Sequence, residues 1–232
     1  MSFHLHDLLR ETVSGESSRQ MTVPSLLQLT RQHVTPRTVV DFGCGAITGE
    51  RELAEVFPQA TYVGVDVAQS PEVERGGQPL PSRFVVYDGS RLPFRSDSAQ
   101  LVFSRQVLEH VPQPELALSE IHRVLEPGGL FVGSTSHLEA FHSYSYWNFT
   151  PYGMVQLGRR FQLEPMLIAP GIDAGALLWR RFRASGRNWM AHESPGNRLI
   201  GRIARWKRWD ERFTNCVKLQ FCGHFFFVFR KP

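Results

Sequence analysis

The eleven residues VVDFGCGAITG, Val39 to Gly49, decide how this chain is read. An apolar, β-branched run ends in the acid Asp41, and Gly43 and Gly45 then let the backbone turn sharply and let a ligand approach it closely. A strand that passes into such a loop is the opening unit of a doubly wound α/β sheet, in which ligands lie beyond the carboxyl ends of the strands. A glycine pair alone is a weak signal. Its weight comes from what surrounds it.

On either side, short apolar runs alternate with helical patterns, the mark of a largely parallel sheet covered on both faces. The pattern predicts strands over Arg37–Phe42, Thr61–Asp66, Arg83–Tyr87, Ala99–Ser104, Leu130–Thr135, Leu163–Ala169 and Gln220–Arg230. Helices are predicted over Val23–Val34, packing on one edge of the sheet, and over Gly49–Phe57, Pro114–Leu125 and Pro151–Arg160. Thr12–Arg19 reads as a loop. The expected organisation is an N-terminal helical segment (1–36), a core (37–170), a basic helical insertion (171–219) and a last strand returning to the core sheet (220–232).

Two further strands deliver acids to the rim that holds Asp41. TYVGVDV places Asp66 25 residues after Asp41, close to the interval of about 20 expected between a glycine loop and the acid that holds a ribose. RFVVYDGSRLPF ends in Asp88 and Gly89, where a carboxylate can accept from an exocyclic adenine amine. A dehydrogenase is a poor fit, because its pyrophosphate needs a helix opening on a GxGxxG turn, and here the third glycine, Gly49, stands at another offset.

VVDFGCG, YVGVDV, YDGSRLPF, LVFSRQVLEHV and IHRVLEPGGLF follow one another in the order and spacing of the class I S-adenosylmethionine-dependent methyltransferases. The chain resembles that family, in its UbiE-like (type 11) branch, over Thr38–Ala169. The resemblance implies a Rossmann-like, doubly wound, seven-stranded and mostly parallel sheet with an antiparallel last strand and a helical insertion before it. It also implies backbone contacts to S-adenosylmethionine from Gly43 and Gly45, and ribose binding by Asp66 with Val67 beside the adenine. Asp88 and Gly89 would then meet the adenine, and Arg105 and Gln106 would wall the methionine end. Asp41 either contacts the cofactor or orients the loop. The chain departs from the family at Ala46 and Ile47, where a glycine is customary.

The acceptor side falls on the loop after the fifth strand, STSHLEAFHSYSYWNFTPYG. Its YWNFTPYG stretch is similar to a segment of bacterial methyltransferases found with glycan-assembly enzymes. His142, and secondarily His137, are candidates for the base that takes the proton of an acceptor hydroxyl, since imidazole titrates near working pH. His110, Tyr144, Tyr146 and Trp147 are candidate substrate contacts. Glu109 stands alone among hard-cation ligands after the fourth strand, so no metal is expected. No cysteine follows that strand to attack cytosine, and its SRQVLEH lacks the Asn/Asp-Pro-Pro-aromatic run of base-amine methylation. Hydroxyl oxygen on a small molecule or a sugar or glycan intermediate is the expected acceptor. Carbon methylation of a quinone-like or polyketide ring is a second reading, and a non-catalytic cofactor-binding protein acting through its basic helix a third.

Composition sets the remaining bounds. The 232 residues suit one α/β domain. No apolar run approaches the length that spans a bilayer, no secretory pattern opens the chain, and three cysteines make no disulfide framework, so a cytoplasmic enzyme is expected. Ten Lys and Arg against three acids between Trp179 and Arg212 give that segment +7 within a total of +4. RLIGRIARWKRWDERF, Arg198–Phe213, reads as one amphipathic basic helix. Its apolar residues Leu199, Ile203, Trp206 and Phe213 either pack on the sheet, belong to a lid over a phosphorylated or lipid-linked acceptor, or touch a membrane surface. Nucleic acid is not an expected partner.

Overall fold

The computed structural model describes residues 4–45, 49–68, 83–139, 144–182 and 193–232, without the side chains of 4–5 and 180–182. Strands form where the apolar runs predict them: β1 Thr38–Phe42, β2 Thr61–Val67, β3 Phe84–Tyr87, β4 Ala99–Arg105, β5 Leu125–Ser136, β6 Glu164–Pro170 and β7 His224–Arg230. They make one seven-stranded sheet in the order β3-β2-β1-β4-β5-β7-β6. β7 runs antiparallel to both β5 and β6, and the pairs from β3 to β5 are parallel. The direction of winding reverses between β1 and β4, and the carboxyl ends of those two strands frame the crevice where such sheets bind ligands.

Neighbouring residues of a strand face opposite sides, so the continuous apolar runs feed two cores. Val40, Phe42, Val102, Phe131, Phe225, Phe227 and Phe229 pack on one face with helices α4 (Pro114–Val124) and α5 (Pro151–Arg160). Val39, Leu101, Phe103, Leu130, Val132 and Val228 pack on the other with α2 (Val23–Arg31) and α3 (Glu50–Val56). The expected placement of the Val23 helix at the sheet edge is thereby corrected: Leu26, Leu27 and Leu29 lie buried on a face. The outer edge of β6 is met instead by the Thr12–Arg19 stretch, behind α1 (His4–Leu9). Val13 bridges to Ile168, Ser14 N donates to Ile168 O at 2.9 Å, and Ile168 N donates to Thr12 O at 2.7 Å.

The insertion is helical but not as expected. After α6 (Ala174–Phe182), the basic stretch forms two helices rather than one: α7 (Pro195–Lys207) and α8 (Glu211–Leu219). Arg208 caps α7 in the left-handed region at φ 54°, and the Asp210 carboxylate accepts from Phe213 N to start α8. A further correction concerns α7's burial. Leu199, Ile203 and Trp206 face solvent, and the inward line is Asn197 and Ala204. Because α8 continues to Leu219 and a turn follows, β7 begins at His224, four residues later than its apolar run suggests. Cys44, Cys216 and Cys222 are buried and form no disulfide.

Gly133 marks where the packing has no slack. A methyl group placed on it would fall on the Ser104 carbonyl oxygen of β4 and against the Phe227 ring of β7. Because the first neighbour is backbone, no rotamer change relieves the overlap. Gly133→Ala should lower unfolding free energy by about 2–3 kcal/mol in urea titration. Gly201→Ala, where nothing lies within 4 Å of the added methyl, should be neutral or slightly stabilising.

Candidate active site

The loop after β1 folds back on β2. Gly43 N donates to Val65 O at 2.8 Å, and Gly43 takes φ 73° with the Val107 side chain in the space a β-carbon would need. Any side chain there would be strained and would collide with Val107. Gly45 follows at φ 55°, and its N–H donates to Asp66 Oδ2 at 2.7 Å. Asp66 Oδ1 accepts from Val67 N, also at 2.7 Å. The acid at the end of β2 is thus a clamp on the glycine loop, with one backbone N–H on each oxygen. Residues 46–48, which include the departures at Ala46 and Ile47, lie outside the described residues.

Asp41 sits below this loop, 3% exposed, and accepts from Tyr62 Oη at 2.7 Å. Burial pushes its carboxyl up to about 6, against the pull of the Tyr62 hydrogen bond and of Arg105. Asp66 and Glu52 add to the rise. Burial, with Asp41 beside it, holds the Tyr62 phenol well above its usual range, so it stays the donor. Arg105, at the end of β4, is partly exposed and pairs with Glu52 of α3 at 2.8 Å. Asp88 is exposed. Its Oδ1 takes Ser90 N, Ser90 Oγ and Arg91 N at 2.8 to 3.0 Å, and those donors hold its carboxyl down at about 2. Gly89 beside it, at φ 85°, has no atom within 4 Å of where a β-carbon would stand.

Past β4 the rim turns polar. Gln106 adopts the left-handed conformation, φ 57°, which carries its amide across to β5. There its nitrogen donates to Glu109 Oε1 and Glu139 Oε2, each at 3.0 Å, and its oxygen accepts from Ser134 Oγ and Thr135 N at 3.2 Å. Glu109, in the 3₁₀ turn Leu108–His110, is 0% exposed. Its carboxyl accepts from Thr135 Oγ1 and Ser136 Oγ, both at 2.9 Å. Its backbone carbonyl takes the N–H groups of Tyr146 and Trp147 at 2.7 and 3.2 Å, and Trp147 Nε1 donates to Val111 O. The aromatic segment is therefore tied to the rim, with Tyr144, Tyr146 and Trp147 turned outward at 73%, 60% and 46% exposure.

His137 lies beside that segment, with Nδ1 3.0 Å from Phe149 O. A carbonyl is only an acceptor, so Nδ1 carries the proton and Nε2 the lone pair. Burial holds the imidazole below its usual range, against the opposing effect of that carbonyl. His110 is half-buried in the turn after β4. His142 is among residues 140–143, outside the described residues. Sequence reasoning missed two groups at this floor, Glu139 and His224. Glu139 Oε2 lies 3.3 Å from Ser136 Oγ and 4.0 Å from His224 Nδ1. His224 opens the antiparallel strand directly opposite Ser136. Its only signal in the sequence is its place as the first polar residue before FFFVF.

Known proteins place this arrangement in company. A family model described as "Methyltransferase domain" matches residues 40–133. An uncharacterized methyltransferase of Mycobacterium tuberculosis strain H37Rv is 32% identical over 188 residues, covering 75% of this chain and 68% of its own. One of Mycobacterium leprae strain TN is 30% identical over 189 residues, and this chain spans 65% of its length. The fold is that of a geranyl diphosphate methyltransferase solved with S-adenosylmethionine, with a TM-score of 0.57, 13% identity, and 90% and 85% of the two chains covered.

Asp41 gives the rim a measurable signature. Its folded value of about 6 lies above the 3.8 of free aspartate, so ionising it works against folding. Its contribution to stability is highest below about pH 4, declines as pH rises to about 6, and is flat above that. Asp41→Asn keeps an acceptor for Tyr62 and removes the charge. In urea denaturation its stability relative to the parent should rise by about 3 kcal/mol between about pH 3 and about pH 7.5. A constant difference across that range would show that the Asp41 carboxyl is not perturbed.

Proposed function

The chain belongs to the class I S-adenosylmethionine-dependent methyltransferases, and from that premise we propose that it methylates a hydroxyl oxygen of a small molecule or of a sugar or glycan intermediate. The observation that carries the choice of oxygen is the floor around Gln106, made of Ser134, Thr135 and Ser136 hydroxyls, the Glu109 and Glu139 carboxyls, and His224. A hydroxyl acceptor is held by hydrogen bonds and gives up a proton as it attacks, and Gln106, Glu139 and His224, half-buried over the buried Glu109, Ser134, Thr135 and Ser136 network, are groups suited to both.

The rim fits the cofactor on its own geometry. The left-handed glycines Gly43 and Gly45 shape the loop, with Gly43 closing over Val107, the Asp66 carboxylate holds Gly45 N, and the open space at Gly89 leaves room for a planar ring. In this reading Asp66 and Val67 hold the ribose and the adenine edge, and Asp88 and Gly89 meet the adenine. Arg105 and Gln106 wall the amino-acid end, and Asp41 positions the loop from below. When bound, S-adenosylmethionine supplies a methyl group activated by a sulfonium. The acceptor lies between the Gln106 floor and the outward wall of Tyr144, Tyr146 and Trp147, with His110 at the turn between them. His142 takes the acceptor proton. His137, with its lone pair on Nε2, follows β5, and His224, 4.0 Å from Glu139, opens β7.

Two measurements test this. Titration calorimetry should show binding of S-adenosylmethionine and S-adenosylhomocysteine, weakened about tenfold or more by Asp66→Ala. Binding of neither ligand by the parent protein removes the proposal. With the methyl carbon labelled, an acceptor screen read by NMR should place the label on oxygen, whereas a shift typical of a carbon-bound methyl would establish the ring-carbon alternative.

The base is tested separately. His142→Ala should cut turnover by about 10²–10⁴-fold while leaving S-adenosylhomocysteine affinity unchanged. Undiminished turnover would pass the assignment to His137 or His224.

A further inference from the structure

Helix α7 is packed the opposite way round from an ordinary amphipathic surface helix. Its inward line holds Asn197 and Ala204, 4% and 5% exposed, with Ile200 and Gly201 half-buried. Its outward side carries Leu199, Ile203 and Trp206 at 54%, 36% and 76% exposure, spaced at i, i+4 and i+7, so they form one row along the helix. Arg198, Arg202 and Arg205 repeat the same spacing one position earlier and form a second row beside it. Arg202, Arg205 and Arg208, with Arg19 and Lys218, line a cavity of about 510 Å³ between α7, α8 and the 18–19 segment. Glu193 and Glu211 also reach this cavity, and Glu193 is paired to Lys218 at 3.2 Å. Among the described residues, Arg202, Arg205 and Arg208 enter no ion pair.

Burial within its own fold does not account for an apolar row turned to water beside the guanidinium groups of Arg202 and Arg205. We propose that this face of α7 docks on a lipid bilayer surface carrying anionic headgroups, with Leu199, Ile203 and Trp206 in the headgroup and acyl boundary and the arginine row on the lipid phosphates. Charge supports this occupant. α7 itself carries Arg198, Arg202, Arg205 and Lys207 and no acid, so an anionic plane attracts this helix. Chemistry supports it too, since Trp206 is the side chain that settles at a membrane interface, and Lys207 Nζ lies 4.8 Å from its ring centre. Three apolar side chains are a small patch for a stable protein interface, which buries about 800 Å² per partner, but they suffice for a shallow amphipathic anchor. The contact is peripheral: among the described residues no helix is long and apolar enough to cross a membrane. None of these residues belongs to the proposed methyl-transfer site, so the two readings stand or fall separately.

The test is co-sedimentation of the full chain with vesicles of equal parts phosphatidylglycerol and phosphatidylcholine, against vesicles of phosphatidylcholine alone, at low salt. The parent protein should pellet with the anionic vesicles only and be released as salt is raised. Leu199→Ser/Ile203→Ser/Trp206→Ser and Arg202→Glu/Arg205→Glu should each weaken partitioning about tenfold or more. Their circular dichroism should be unchanged, because the altered side chains are exposed. Trp206→Phe keeps an apolar ring and should still bind while abolishing the blue shift in tryptophan emission that accompanies vesicle binding by the parent. A parent protein that stays in the supernatant overturns the proposal. So does serine-variant binding equal to that of the parent, which would reduce the interaction to non-specific charge. A blue shift that survives in Trp206→Phe would overturn the assignment of α7 as the inserted element, as would binding to a duplex oligonucleotide matching that to vesicles.

Discussion

A carboxyl group that no solvent reaches has to be met by donors, and around Glu109 that requirement organises the proposed acceptor half of the site. Thr135 and Ser136 of β5 supply two hydroxyls, and Gln106 supplies its amide nitrogen by taking a backbone conformation that few non-glycine residues adopt. The Glu109 carbonyl meanwhile fixes Tyr146 and Trp147. One residue of a tight turn therefore couples the end of β4, the end of β5 and the aromatic segment. Losing its carboxyl would leave two buried hydroxyls and an amide to find other partners, at a cost of about 1–3 kcal/mol for each group left unpaired.

The proposed cofactor half obeys a different rule. There the burden falls on the backbone: glycines at positive φ, N–H groups turned toward the strand ends, and the Asp66 carboxylate clamping Gly45. These features are local in sequence, which is why they were legible. A glycine pair after an apolar run, an acid at the end of the next strand and an acid-glycine pair at the end of the third each declare themselves within a few residues. The seven strands were legible for a similar reason, since a run buried on both faces needs no periodicity to be recognised.

What stayed hidden is what depends on distance or direction. Glu139 and His224 meet only because β7 is laid antiparallel beside β5, a pairing that neither residue's neighbours announce. The break at Arg208 rests on one left-handed residue in a stretch whose charges and apolar spacing continue unbroken into the next helix. α7 was recognisable as amphipathic, but a periodic apolar row records only that one side differs from the other. Which side the fold covers is seen only in the folded chain, where Asn197 and Ala204 are buried and Leu199 and Trp206 are not.

The antiparallel last strand explains why the acceptor groups gather where they do. In a wholly parallel sheet every strand would end at the working rim and begin at the opposite one. β7 inverts this, so its first residue, His224, stands opposite Ser136 at the rim, and β6 arrives there with Pro170. The connection from β6 to β7 consequently leaves and returns at that rim, on the side of β4 away from the glycine loop, and carries α6, α7 and α8. Variation in the insertion can alter what the protein touches without disturbing how the first three strands present their acids.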